Sequence, residues 1–317
     1  MRIHFDNVNL LAPTGPNTFA YRLARGLLEG GHEVVFENGP KADVSLVFIQ
    51  PTRGAQLAKK VVQRLDGIWS KPEDFRTKNV DIKRLYKDAS AVVFQSEFDR
   101  TMTTKWFGDP PRYNDVIYNG IDLTPVKELT IPALIDFRSM YEQIYVCSSH
   151  WHPQKRLDAN VRLFERLHKK HPSSCLLVLG KDPNLKPHPH IFFTGHIPPE
   201  MYMQIYSAAN YLLHLAWGDH CPNVVVEALS QGTPVVCSEV GGTRELVRNV
   251  GQRDYGLVMK ERAKYDFELV NYDDPPDIDV ELIEDLPGRE QLGKFHPANI
   301  DIKRVTEKYV KLFESIL

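Results

Sequence analysis

Apolar and polar positions follow two rhythms along this 317-residue chain. Apolar strand-like runs fall at 2–6, 32–37, 43–49, 90–95, 114–118, 143–148, 174–179, 190–194, 210–215 and 233–237. Between them, residues 17–29, 81–88, 97–106, 156–170, 199–208, 223–231 and 243–249 carry apolar positions three and four apart, the spacing of a helix with one buried face. Strand–helix–strand alternation with short connections predicts parallel sheets covered by helices. Val44-Ser45-Leu46-Val47-Phe48-Ile49 and Cys175-Leu176-Leu177-Val178-Leu179 have little polar relief, as expected of strands buried on both faces. The rhythm weakens twice. Residues 123–142, with two prolines, read as a linker. Residues 251–299 hold Asp273-Asp274-Pro275-Pro276-Asp277 and Pro287-Gly288, and read as an irregular lobe. Periodicity returns in Ile300, Ile302, Val305, Tyr309, Leu312, Phe313 and Ile316, the stripe of a final helix. The expected architecture is α/β with two Rossmann-like halves, 1–122 and 123–299. The helix at 300–317 is a candidate to cross back to the first half.

The chain is too long for one compact core and comfortable for two domains. Hydrophobic residues make up 42% and charged residues 25%, so the composition is that of a globular protein rather than a disordered one. A net charge of -2 argues against a broad electrostatic footprint for nucleic acid. Met1-Arg2-Ile3-His4-Phe5 reads as the opening of a strand, not as a signal peptide. No run approaches the roughly 18 apolar residues that cross a bilayer. A cytoplasmic protein is expected. Cys147, Cys175, Cys221 and Cys237 lie far apart without a C-x-x-C pair, which favours buried free thiols over disulfides or zinc ligands.

Candidate chemistry is densest at Trp217-Gly218-Asp219-His220-Cys221-Pro222-Asn223-Val224-Val225-Val226-Glu227-Ala228-Leu229. A strand runs into a short polar loop and then a helix beginning about Pro222, a residue suited to the first helical turn. The free N–H groups of that turn form an anion site at the carboxyl end of a parallel strand. Asp219 and Glu227 put two carboxylates beside it, as a grip on sugar or ribose hydroxyls requires. From the spacing alone a second reading stands level with this one: Asp219 caps the helix and Glu227 is solvated.

The run from Asp219 to Glu227, continued by Ala228-Leu229-Ser230-Gln231-Gly232-Thr233-Pro234-Val235-Val236 and Val240-Gly241-Gly242-Thr243-Arg244-Glu245, resembles the signature of glycosyltransferase family 4, retaining enzymes of the GT-B fold. Asp219 stands where that pattern has a glutamate, one methylene shorter. Val116-Ile117-Tyr118-Asn119-Gly120-Ile121-Asp122 is similar to the family turn that closes the first domain. Ser148-Ser149-His150-Trp151-His152-Pro153-Gln154-Lys155 resembles the Gly-Arg-x-x-x-x-Lys segment after the first strand of the second domain. In that match Ser149 replaces the glycine and His150 the arginine. Lys155 aligns with the lysine that meets the donor diphosphate, and the adjacent Arg156 is a candidate to make up the charge that His150 lacks.

The resemblance further implies that a glycine-containing loop at Gly15 approaches the donor phosphates. The N–H groups around Cys221, Pro222, Asn223 and Val224 would help hold the diphosphate, with Glu227 on the ribose and Asp219 on the donor sugar. Gly195, after the 190–194 strand, belongs to the same candidate set. Asp66 is a candidate to face the acceptor, an ion pair with Arg64 being the alternative. Ser96, opening a helix, reads first as an N-cap. Neither G-x-G-x-x-G nor a P-loop lysine pattern is present, so dinucleotide and ATP sites are not expected.

The implied activity is retaining transfer of a sugar from a nucleoside diphosphate to a glycan or other hydroxyl acceptor. No separate cofactor and no metal are expected, since the sequence offers no Asp-x-Asp motif suited to one. Peripheral contact with a membrane-borne acceptor stays open. Two other readings share the fold, a sugar-nucleotide 2-epimerase and a non-catalytic sugar-nucleotide-binding relative.

Overall fold

A computed structural model describes residues 1–12, 14–181, 188–195, 197–262, 264–293 and 297–317. The first half contains β1 (Arg2–Asp6), α1 (Gly15–Glu29), β2 (Glu33–Val35), β3 (Val44–Phe48), β4 (Lys60–Arg64), α2 (Pro72–Lys78), α3 (Val80–Asp88), β5 (Ala91–Phe94), α4 (Glu97–Phe107) and β6 (Tyr113–Val116). The six strands pair in parallel in the order β2-β1-β3-β4-β5-β6. After α5 (Pro132–Met140) come β7 (Gln143–Ser148), α6 (Leu157–Lys170), β8 (Ser174–Leu179), β9 (Ile191–Gly195), α7 (Pro199–Ala208), β10 (Tyr211–His214), α8 (Asn223–Ser230), β11 (Val235–Ser238), α9 (Thr243–Val247) and β12 (Gly256–Met259). This second sheet is also parallel, in the order β12-β11-β10-β7-β8-β9. Numbered from its own first strand, that is the doubly wound order 3-2-1-4-5-6 read in reverse.

Both sheets are cores in their own right. Ile3, Phe5, Leu46, Phe48, Val62 and Val93 meet α1 through Phe19, Leu23 and Leu27. The last helix, α10 (Ile302–Ile316), completes this same core with Val305, Tyr309, Phe313 and Ile316. In the second half, α8 and α7 pack on one face of the sheet and α6 on the other.

Four elements depart from the sequence expectation. Residues 123–142 contain helix α5, which starts on Pro132, and α2 likewise starts on Pro72. Proline at the first helical position lacks an N–H that had no partner there, so it opens a helix as readily as it breaks one. Strand β4 was hidden by Lys60, Gln63 and Arg64; in the sheet Gln63 and Arg64 are fully buried, with partners for Gln63 Nε2 and for both Arg64 Nη atoms. Strand β12 is four residues long inside the lobe expected to be irregular. The rest of that lobe holds short 3-10 turns, with residues 263 and 294–296 outside the described residues. Between β12 and Asp274 the chain leaves the second half and lies against the first: Trp106 Nε1 donates to the Phe267 carbonyl at 2.9 Å, and Ser70 Oγ to the Val270 carbonyl at 3.1 Å. All four cysteines are buried free thiols.

Candidate functional site

In an open parallel sheet the loops that follow two neighbouring strands, one leading left and the other right, leave a crevice at their carboxyl ends. In the second sheet β7 and β10 are that pair. The loop after β7 carries Ser149, His150 and Lys155, and the loop after β10 carries Asp219 to Pro222. The two loops are knitted together, since the Trp217 N–H donates to the Gln154 carbonyl at 2.9 Å. Lys155 Nζ lies 2.5 Å from Asp219 Oδ2, and His214 Nε2, from the end of β10, lies 3.2 Å from the same oxygen. Burial alone would raise the Asp219 carboxyl, but Lys155 and His214 outweigh it and hold the group well below the usual carboxylate range. Asp219 is therefore ionised at any working pH.

Helix α8 begins at Asn223, with Pro222 at its N-cap rather than in its first turn, and no side chain caps it. Helix α1 begins at Gly15, also without a side-chain cap. These two N-termini, one from each half, meet: Asn223 Nδ2 donates to the Gly15 carbonyl at 2.9 Å. Neither first turn contains an acidic residue. Two positive helix ends pointing at one place, uncompensated by a carboxylate of their own, repel each other and favour an anion between them. One turn further along α8, Glu227 is 9% exposed and pairs across the cleft with Arg22 of α1, Nη2 to Oε1 at 2.5 Å. Val224 is half-buried in the first turn of α8. Cys221 is buried; its Sγ accepts the Asn119 N–H at 3.3 Å, and burial pushes its thiol up to about 12, so it stays protonated.

Asn119 joins the halves. Its Nδ2 donates to the Cys221 carbonyl at 2.8 Å and to Asn223 Oδ1 at 3.0 Å, and its Oδ1 accepts from Arg64 Nη2 at 2.6 Å. The guanidinium of Arg64 lies 4.4 Å from the Phe19 ring centroid, and its Nη1 pairs with Asp66. Asp66 is in the ion pair with Arg64 that the sequence offered as its alternative reading. Burial raises the Asp66 carboxyl against the pull of Arg64. The next residue, Gly67, is pressed on the imidazole of His220, where an added Cβ would lie 2.3 Å from Nε2.

Several candidates take other positions. Arg156 is a correction. It is 3% exposed and its guanidinium turns away from the crevice, to Glu261 at 2.6 and 3.1 Å and to the Pro276 carbonyl at 2.6 Å. Its backbone adopts the left-handed conformation (φ 47°) at the start of α6, which swings the side chain inward. His150 is exposed, its ring 4.7 Å from that of His152, and Ser149 lies beside it. Burial, then the neighbouring His150 and Lys155, lower the His152 imidazole. Gly195 ends β9, accepting the Gly180 N–H at 3.0 Å, two strands from the crevice. Asp277-Ile278-Asp279, the Asp-x-Asp of the sequence, is held by Arg162 and Arg262.

The sequence reading passed over Arg22, His214 and the true task of Glu245. Arg22 had one signal, a charge seven residues after Gly15 and so on the same face of α1. His214 closed an apolar strand, a polar residue where the pattern called for none. Glu245 of the Gly-Gly-x-x-Glu turn accepts the Glu97 and Phe98 N–H groups, both at 2.8 Å, and the Tyr118 hydroxyl at 2.9 Å. It thereby caps a helix of the opposite half. Ser96 is the N-cap of that helix, accepting the Asp99 N–H at 3.1 Å. Gly242 makes the approach feasible, since a Cβ there would lie 1.9 Å from the His220 carbonyl and 2.5 Å from Ser96 Oγ.

Residues 142–267 match the family model "Glycosyl transferases group 1". YtcC of Bacillus subtilis strain 168, a provisionally named glycosyltransferase, is 22% identical over 192 residues, 53% of this chain and 47% of its own length. The uncharacterized glycosyltransferase MJ1059 of Methanocaldococcus jannaschii is 19% identical over 268 residues, 74% of this chain and 66% of its own. The chain thus spans about half and about two thirds of these two relatives. Among solved structures, Anabaena HepE in complex with UDP and glucose superposes with a TM-score of 0.66 at 18% identity, covering 99% of this chain and 100% of HepE. Sucrose-phosphate synthase of Thermosynechococcus elongatus gives 0.61 at 15% identity, covering 100% and 96%. No helix among the described residues is long and apolar enough to cross a membrane. Residues 142–267 are thus similar to group 1 glycosyltransferases, and the chain as a whole has the GT-B fold.

Proposed function

We propose that the chain is a retaining glycosyltransferase that takes its sugar from a nucleoside diphosphate, with a uridine nucleotide as the first candidate because HepE was crystallised with UDP. The observation that carries this reading is the meeting of the α1 and α8 N-termini beside Lys155. Two helix ends and an ammonium supply positive charge where a leaving diphosphate would gather negative charge, which is the main electrostatic demand of breaking the glycosidic bond. In this reading Lys155 and the N–H groups at Asn223 and Val224 stabilise the departing diphosphate. Glu227 takes the ribose hydroxyls, and Asp219, fixed by His214 and Lys155, orients the donor sugar. The departing phosphate oxygen, held on the face from which the acceptor approaches, takes the acceptor hydroxyl proton, so no protein base is needed at neutral pH. A protein cation and two helix dipoles would stand in for a metal ion. The acceptor, a glycan or other hydroxyl compound, would enter from the side of Asp66 and Gly67.

The test is calorimetric titration with UDP, GDP and ADP, repeated with their glucose conjugates. One nucleotide class is expected to bind, with affinity lowered about 10-fold or more in Lys155→Ala and in Glu227→Ala, the loss of one hydrogen bond to a charged group in each case. Absence of binding by all three would refute the donor assignment. Product analysis with a bound donor then separates transfer from 2-epimerisation: free UDP with unchanged sugar configuration supports transfer, whereas an epimerised nucleotide sugar does not.

A further inference from the structure

Helices α1 and α8 touch at two places, first at Gly15 and Asn223 and again at Arg22 and Glu227. The second contact is one-armed. Arg22 gives Nη2 to Glu227 Oε1 at 2.5 Å, while its Nη1 is buried and has no hydrogen-bond partner among the described residues. Only 18% of the Arg22 side chain and 11% of the Glu227 side chain are exposed. A guanidinium is always charged, and a buried N–H of such a group left without an acceptor is costly. A partner that supplies an acceptor there is correspondingly favoured.

We infer that Arg22 is a donor-reading residue, contributed by the first half of the molecule to the nucleotide site of the second. The inference rests on the reading that Glu227 meets the ribose of a nucleoside diphosphate. An ionised carboxylate can only accept hydrogen bonds, and a guanidinium can only donate them. Held together, they are complementary to a hydroxyl, which donates its proton to Glu227 and accepts from Arg22 Nη1. Two neighbouring hydroxyls, the vicinal diol of a ribose, match the pair better than a single one. The carboxylate alone would tolerate the loss of one hydroxyl by turning to the other; with Arg22 in place that loss leaves Nη1 again without an acceptor. Arg22 thus makes the site selective for ribose over deoxyribose, and it ties donor binding to the seating of α1 on α8.

The experiment titrates UDP and 2′-deoxy-UDP into the wild-type protein, Arg22→Met, Arg22→Lys and Lys155→Met. Wild type is expected to prefer UDP by about 10-fold or more, the discrimination typical of a site that hydrogen-bonds a hydroxyl through charged groups. Arg22→Met is expected to weaken UDP about 10-fold and 2′-deoxy-UDP little, so that the preference falls to about 2-fold. Arg22→Lys keeps a cation for Glu227 and protects the fold, but an ammonium cannot place a second donor where Nη1 stands; it too loses the preference. Lys155→Met weakens both ligands alike and keeps their ratio. An unchanged ratio in Arg22→Lys overturns the inference. So does tighter UDP binding by Arg22→Met, which would make the arginine a competitor of the ribose. If wild type binds neither of these, nor GDP or ADP, the donor assignment itself falls and this inference with it, an outcome distinct from the other two; if GDP or ADP binds instead, the same ratios are read with that nucleotide and its 2′-deoxy form.

Discussion

At the scale of single residues, the cleft wall holds a pair whose titrations oppose each other. His220 Nδ1 lies 3.7 Å from Asp99 Oδ1, with Phe98 against the imidazole. Burial pushes Asp99 up to about 7 and His220 down to about 4, so near neutrality this is a contact between an uncharged imidazole and a half-protonated carboxyl, not an ion pair. The signs follow from proton linkage. Asp99, raised in the folded state, contributes stability that is complete below its ordinary carboxylate range and is lost as pH climbs through about 7. His220, depressed, contributes stability that is complete above 6.5 and is lost as pH falls through about 4. Between those limits the two slopes offset one another. In Asp99→Asn the melting temperature is expected to rise with pH from about 4 to 6.5 more steeply than in wild type, and in His220→Gln to fall over the same window. Parallel curves for all three proteins would refute the linkage. None of this was legible from sequence, because Asp99 and His220 are 121 positions apart and each looks like an ordinary loop or helix residue. Lys155, Asp219 and Glu227 were legible because a motif marks them. Arg22 was not, since its partner lies 205 residues away and its one local signal, the spacing from Gly15, points to no partner.

At the scale of elements, α4 shows how one half completes the other. Its first turn is served by Ser96 from its own chain segment and by Glu245 from α9 of the other half. Glu245 is itself raised by burial, a cost that its three donors offset only in part. Glu245→Ala is expected to cost about 2 kcal/mol in urea unfolding, because two backbone N–H groups and a hydroxyl lose a charged acceptor; Ser96→Ala removes a neutral cap and costs about 1 kcal/mol. Equal losses would mean that the cross-cleft cap carries no charge-assisted advantage. Elements with a clean apolar rhythm, such as β7, β8 and α6, were readable to within a residue or two. Those that failed did so for physical reasons visible in the fold. Strand β4 buries Arg64 and Gln63, whose polarity is answered by Asp66 close by but also by Asn119 and the Ile49 and Ile82 carbonyls, partners 14 to 55 positions away. Helices α2 and α5 were masked by prolines that start them.

At the scale of the whole molecule, the halves are tied at several separate places. The last helix lies in the core of the first half, Glu245 caps α4, and the segment around Phe267 is fastened to α4 and to Ser70, just before α2. Phe267 itself is in the left-handed region (φ 62°), strained for a bulky side chain, and is held there by rings of Phe98 and Tyr265 at 5.3 and 5.2 Å. With so many ties the halves are expected to move little on binding donor. Small-angle scattering should give a radius of gyration of about 20 Å with no resolvable change when UDP is added. In Phe267→Ala the free protein is expected to expand and to contract again with UDP; a wild-type contraction of the same size would show that the ties do not restrain the cleft. The seat of α10 has a further bearing, on synthesis. During translation the ribosome delivers Phe19, Leu23 and Leu27 early, but Val305, Tyr309 and Phe313 follow about 180 residues after the first half is complete, roughly 10 to 40 s later at ordinary elongation rates. For that interval the nascent first half presents an apolar trough with nothing in it, a natural resting place for a chaperone and a window in which slowed elongation or premature release would favour aggregation.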